Sequence, residues 1–218
     1  MRSIADFKEI ENIEVPAKYK EIWRDVSRPT QIKKAENHKL TEEQIEQCFE
    51  QLSKRPYYLT SLAEHIGAIN IVEVGTAQGL QTFSFAEYIK KQKNGKVWTC
   101  DILDVRNREY VEKYKEEVCF CLGTSKELAA SLRENNIKVD LFYIDGAHGY
   151  GDVIKDVFNL REVQSRDAVW VFDDYDERFG CFKDISKLIR EKKDKKIYRV
   201  GNTASGNPNH QVMVRAFF

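Results

Sequence analysis

Three aspartates in the second half of the chain are the residues best placed to do chemistry together. Asp145 follows the apolar run Val139–Ile144, and Asp173-Asp174 follow Ala168–Phe172. If both runs are strands of one parallel sheet and lie side by side, their C-terminal ends meet and three carboxylates share one cleft. Like charges so placed favour either a raised pKa or a bound cation. Oxygen-only ligands suit Mg2+, Mn2+ or Ca2+ better than zinc. His148 lies three residues beyond Asp145. Histidine is the side chain that exchanges a proton near neutral pH, and three roles are open to it: general base, contact to a cofactor, or partner of a loop carbonyl.

A second constellation lies upstream. Glu73-Val74-Gly75-Thr76-Ala77-Gln78-Gly79 passes from a β-rich run into a helical one at Leu80. Glycines at a strand-to-helix turn let backbone approach a ligand, and the helix start supplies N–H donors. The spacing is GxxxG, which departs from the GxGxxG of pyrophosphate-binding turns. Glu73 suits a ligand with a cationic amino group. Asp101, 26 residues after Gly75, can accept hydrogen bonds from both hydroxyls of a ribose. Gly123-Thr124-Ser125-Lys126 is small and polar where an adenine edge would lie. Thr124 or Ser125 can also cap a helix there, and the two uses are compatible.

Elements that must position these residues can be read from the periodicity. Short β-rich runs (Ile69–Val74, Lys96–Asp101, Val118–Leu122, Val139–Ile144 and Ala168–Phe172) alternate with segments of helical spacing, such as Phe85 with Ile89, Leu128 with Leu132, and Val153, Val157 and Leu160. That alternation predicts a parallel sheet built by right-handed crossovers. After a helix with Phe182, Ile185 and Ile189 come two further strand-like runs, Lys196–Val200 and Gln211–Phe217. No helix fits in residues 201–209 between them, so the last strand is expected to be antiparallel. Upstream, residues 1 to about 67 read as polar and helical. Thr41 and Gln44 have capping-box spacing, and Ile45, Cys48, Phe49 and Leu52 mark one face. Pro56 is expected to break that helix before a second one with Leu59, Leu62, Ala63 and Ile66 that ends at Gly67.

The 218 residues suffice for one α/β domain with a modest extension. A formal net charge of zero supplies no global field to recruit nucleic acid. The N-terminal Met1-Arg2-Ser3-Ile4-Ala5-Asp6 lacks a secretory apolar core, and no run approaches the ~20 apolar residues of a membrane span. The five cysteines lack CxxC spacing and read as reduced thiols. A cytoplasmic location is the expectation.

Glu73-x-Gly75-x-x-x-Gly79, then Asp101, then Ile144-Asp145-Gly146-Ala147-His148, resembles the class I S-adenosylmethionine methyltransferases. The IDGxH run followed by Tyr150 and Asp156 is especially similar to the small-molecule group that includes cephalosporin-hydroxylase-like proteins. Phe172-Asp173-Asp174-Tyr175 with Gly180-Cys181 resembles macrocin-type sugar O-methyltransferases, and catechol methyltransferases have a related arrangement. The resemblance spans residues from about 57 to 218. It implies a Rossmann-like sheet of seven strands in order 3-2-1-4-5-7-6, with strand 7 antiparallel. It also implies S-adenosylmethionine held by Glu73, Gly75, Thr76, Ala77, Gly79, Asp101, Ile102, Gly123, Thr124, Ser125, Asp145, Gly146 and His148. A divalent cation, Mg2+ or else Mn2+ or Ca2+, would sit on Asp145, Asp173 and Asp174, with Asp145 and His148 catalytic. Where the sugar enzymes often carry a second Asp as base, this chain has Ala147. The implied reaction is metal-assisted O-methylation of a small hydroxylated substrate such as a sugar, a phenol or a natural product. Alternatives are a metal-independent methyltransferase and a cofactor-binding protein without catalysis. Residues 56–218 would form the methyltransferase domain, and residues 1–55 a helical extension serving as a lid or a homo-oligomer contact. Neither a membrane nor a nucleic acid is expected as a partner.

Overall fold

The computed structural model describes residues 14–37, 40–190, 197–199 and 212–215. Five strands alternate with helices: β1 (Asn70–Val74), β2 (Lys96–Asp101), β3 (Val118–Leu122), β4 (Val139–Ile144) and β5 (Gln164–Phe172). They pair in parallel, β3 on β2, β2 on β1, β1 on β4 and β4 on β5. Two short strands, β6 (Ile197–Arg199) and β7 (Val212–Arg215), extend the sheet to the order β3-β2-β1-β4-β5-β7-β6, with β7 antiparallel to both neighbours. The expected connection 201–209 lies outside the described residues.

Both faces of the sheet are covered, which is why β4 and the second half of β5 (Ala168–Phe172) read as nearly unbroken apolar runs. Side chains alternate between faces with period two. Ile71, Val97, Leu141, Tyr143, Val169 and Val171 face a core closed by α1 (Ala17–Val26), α3 (Glu42–Ile66) and α4 (Leu80–Ile89); α2 (Arg28–Asn37) links α1 to α3, and α5 (Arg108–Lys113) lies between β2 and β3. Val72, Val74, Cys100, Phe142, Ile144, Trp170 and Phe172 face the opposite core under α6 (Ser125–Glu134), α7 (Asp152–Leu160) and α8 (Cys181–Arg190). There the Phe142 and Trp170 rings stack at 3.8 Å between centroids. This alternation decides which strand-end residues can meet.

One expectation for the N-terminal part is corrected. Pro56 does not break the helix: α3 runs unbroken from its Thr41–Gln44 capping box to Gly67, whose left-handed φ of 68° ends it. Proline removes one N–H, but the turns beyond it are anchored by buried Tyr58, Leu59 and Leu62. The Pro56 carbonyl in turn accepts from the Thr60 hydroxyl at 2.7 Å and the Gln81 amide at 3.3 Å. The expected division at residues 55 and 56 therefore falls inside one helix. In the described part of residues 1–55, Val15, Tyr19, Ile22 and Val26 are buried in the core beside α3 and α4. The side chains of Ile45, Cys48, Phe49 and Leu52 lie outside the described residues. Cys100, Cys119, Cys121 and Cys181 are free thiols.

Candidate active site

A cavity of about 790 Å³ opens at the C-terminal edge of the sheet, over β1, β2, β3 and β4. Gly75, Ala77, Asp101, Ile102, Gly123, Thr124, Ser125, Asp145 and Gly146 line it, all of them expected from the sequence. Asp101 accepts from the Ala77 N–H at 2.8 Å and from the Leu103 N–H at 3.2 Å, which ties the end of β2 to the turn after β1. Ser125 donates to Asp156 at 2.6 Å and accepts from the Asn159 amide at 2.9 Å, closing the far wall against α7. Burial raises the pKa of Asp156. Lys126, the last residue of the polar run expected there, lines the cavity too, as do Lys155 and Asn159, which were not anticipated.

Four expected cofactor residues lie off that lining. Glu73 shares the sheet face of Ile71, whereas the cavity opens on the face of Val74 and Cys100. Its carboxylate is 1% exposed and accepts from the hydroxyls of Thr82 and Thr99, the latter at 2.9 Å. Burial pushes its pKa up to about 8. Thr76 turns inward to the Thr99 hydroxyl at 2.6 Å. Gly79, at φ 92°, is the N-cap of α4. His148 stands on the other side of Asp145. Gly75 is required for a reason other than ligand approach. At φ 94°, an added Cβ would lie 2.0 Å from the backbone oxygen of Asp145, so the close approach is between two loops of the protein itself.

Beyond Asp145 the strand ends carry charge. The three aspartates expected to share a cation do not share one place. Asp173 lies on the sheet face of Val171, is 4% exposed in its side chain, and pairs with the Arg55 guanidinium from α3. Arg55 also donates to the Tyr143 hydroxyl and approaches Asp145 Oδ2 at 3.4 Å. Tyr143 OH lies 2.9 Å from Asp145 Oδ2 and 2.8 Å from Asp173 Oδ2. Its one proton serves one of them at a time, and the guanidinium supplies the remaining donors. Burial raises the pKa of Tyr143 strongly and that of Asp145 as well, the latter opposed by Arg55. Asp174, with φ 51°, turns the opposite way. Its Oδ2 lies 2.5 Å from His148 Nδ1, while His148 Nε2 lies 3.9 Å from Asp145 Oδ1.

Asp145, His148 and Asp174 form a group whose ligand atoms all lie within 4.8 Å of one another. Two carboxylates and an imidazole suit a divalent first-row ion. This group shares Asp145 and Asp174 with the expected set and has His148 where Asp173 was expected, Asp173 being turned toward Arg55. Arg55 and Tyr143 were not anticipated. Tyr143 carries a weak signal, a hydroxyl within an otherwise apolar strand that needs a buried partner. Arg55 carries none, as one arginine among many polar residues of a helix.

The α8 end of the loop is fixed too. His148 O accepts from the Cys181 N–H at 3.0 Å, and buried Asp184 accepts from the Gly151 N–H at 2.6 Å. Those contacts hold the segment between β4 and α7 that presents His148.

Residues 72–175 match the family described as a methyltransferase domain. Among solved structures, the fold is similar to an O-methyltransferase from Bacillus cereus in complex with SAH (TM-score 0.66, 16% identity, covering 94% of this chain and 92% of that one). It is similar as well to the O-methyltransferase TomG from Streptomyces achromogenes, in complex with SAM (0.63, 13%, 94% and 91%). An SAH-bound methyltransferase from Podospora anserina is a third (0.61, 14%, 94% and 90%). No curated protein matches the sequence. No helix among the described residues is long and apolar enough to cross a membrane. The matched residues carry the C-terminal ends of β1 to β5, and with them the cavity and the charged cluster, so this site lies within a methyltransferase domain.

Proposed function

We propose that the chain methylates a hydroxyl oxygen of a small acceptor, such as a sugar, a phenol or a natural product, with a divalent cation held by Asp145, His148 and Asp174. The observation that carries this reading is that Asp145 belongs to both places, lining the cofactor-sized cavity and contributing to the three-donor group. When bound, the donor supplies an activated methyl on sulfonium sulfur, and the cation makes an acceptor hydroxyl easier to deprotonate. In the transfer a C–O bond forms and the S–C bond breaks, its electron pair staying on sulfur, while the hydroxyl proton leaves to a base. The protein's own contribution is alignment. Asp101 and the Ser125–Asp156–Asn159 wall hold the donor's adenosine. Gly75 and Gly146 bring the loops after β1 and β4 together beside its methionine part. Asp145, oriented by Tyr143 and Arg55, faces the acceptor.

A second reading has one contact in its favour. With Nδ1 held by Asp174, His148 leaves Nε2 directed into the space beside Asp145, the arrangement of a general base oriented by a carboxylate. Titration with SAH and methyl-transfer assays in excess chelator separate the readings. On the first, chelation abolishes transfer to any active acceptor and leaves SAH affinity unchanged, and Asp174→Ala is severe. Full turnover in chelator, with loss in His148→Ala, would leave the metal-free base.

A further inference from the structure

Asp173 and Asp174 are adjacent in sequence and serve different partners. Asp173 is nearly sealed against α3 by Arg55, and its Oδ1 accepts the Asp174 N–H at 2.9 Å. Asp145 is divided between the two sides. Its Oδ2 faces Arg55 and Tyr143, and its Oδ1 faces His148. The guanidinium therefore occupies, among Asp145 and Asp173, the position in which a cation would be drawn to both. With Arg55 offsetting one carboxylate, the cluster retains a formal charge of two negatives, which matches a single divalent ion.

We propose that Arg55 is a built-in counter-cation that withdraws Asp173 from cation binding and thereby sets how tightly Asp145, His148 and Asp174 hold a divalent ion. It is a positioning residue, contributed by a helix outside the family match, and the inference rests on the metal reading above. Removing its charge adds one uncompensated negative charge and frees Asp173 to turn toward the ion. Affinity should rise as charge count rises, while methyl transfer falls because Asp145 loses its fixed orientation. Damage to the fold would instead weaken both.

The test is calorimetric titration of the full chain with Mn2+. Arg55→Gln should bind Mn2+ roughly tenfold or more tightly than wild type while turning over more slowly. Arg55→Gln/Asp173→Asn, which restores the charge, should return to within about threefold of wild type. SAH affinity, checked in parallel, should stay unchanged, because Arg55 does not line the cavity. Mn2+ binding in Arg55→Gln that is equal to or weaker than in wild type overturns the proposal. If wild type binds no Mn2+ but Arg55→Gln gains a site, the metal reading fails and the counter-cation role stands; if neither binds, both fail. Should Arg55→Gln not fold, Asp173→Asn decides: with Arg55 left unopposed, Mn2+ binding that is weakened roughly tenfold but still saturable supports the proposal, whereas unchanged or abolished binding overturns it.

Discussion

Over β1, β2 and β3 the sheet edge is built largely from backbone and neutral hydroxyls, whereas over β4 and β5 it is built from paired charges. On the first side, Gly75 bonds to the Cys100 carbonyl, Gly123 to the Asp101 carbonyl and Ala77 to the Asp101 carboxylate, and Thr76 meets Thr99. On the second, Arg55 pairs with Asp145 and Asp173, and His148 stands between Asp174 and Asp145. A backbone-built rim suits a ligand whose identity does not change. A charged rim suits chemistry in which charge develops during the reaction. The difference also concerns distance in sequence, because the first side is assembled from neighbouring turns and the second needs a helix that ends before β1.

The two sides touch at Gly75, so that position is the most damaging place to break the comparison. An alanine there combines a left-handed φ with a Cβ only 2.0 Å from the Asp145 oxygen. Gly75→Ala should destabilise the fold by roughly 3 kcal/mol or more and weaken SAH binding with it, since the loops after β1 and β4 must separate. Urea denaturation and SAH titration of the same preparation check this. Wild-type stability would mean that the loops are not mutually fixed and that the two sides are independent.

Glu73 sharpens the contrast from beneath the neutral side. Its folded pKa, raised by burial to about 8, lies above that of an unfolded glutamate. Between these values the native chain keeps a proton that the unfolded chain has released. Stability contributed by this group is thus full at low pH, falls as pH rises through that window, and levels off above about 8. Glu73→Gln mimics the protonated form and should remove a loss on the order of 4 kcal/mol, read as the difference between the two proteins' denaturation profiles at about pH 5 and about pH 9. Parallel profiles for variant and wild type would show that Glu73 is ionised in the fold.

What could be read from the sequence follows the same division. Strands β2, β3 and β4 begin and end where their apolar runs do, and nine of the expected cofactor residues line the cavity, because turns at strand ends are local features. Glu73 and Thr76 lie off the lining, and a motif carries no information on which face each residue of β1 presents. At the end of β5 Asp173 turns to Arg55, and the motif is silent there for the same reason. Arg55 could not be found at all, since its role depends on the crossing of α3 over the ends of β4 and β5, which no short-range pattern encodes. Pro56, one residue on, was read by its propensity and overruled by the burial of Tyr58, Leu59 and Leu62.

The smallest expected effect asks whether the neutral side holds its ligand through side chains or through backbone. Thr124 lines the cavity, yet its hydroxyl is already engaged, accepting from the Lys126 N–H at 3.2 Å while Glu127 takes the Thr124 N–H at 2.9 Å. This capping box satisfies N–H groups that the first turn of α6 would otherwise leave open. The Thr124 hydrogen bonds also hold the Glu127 carboxyl below its usual range. A hydroxyl occupied in this way has little left to offer a ligand. Thr124→Ala should therefore lower stability by about 1 kcal/mol, the usual effect of losing an N-cap, and leave SAH affinity within about twofold. Thr124→Ser, which keeps the hydroxyl, should recover the stability. Denaturation midpoints and calorimetry on the three proteins read the two quantities separately. Unchanged stability with a tenfold loss of affinity would reverse the assignment and make Thr124 a side-chain contact to the cofactor, bringing the neutral side closer in construction to the charged one.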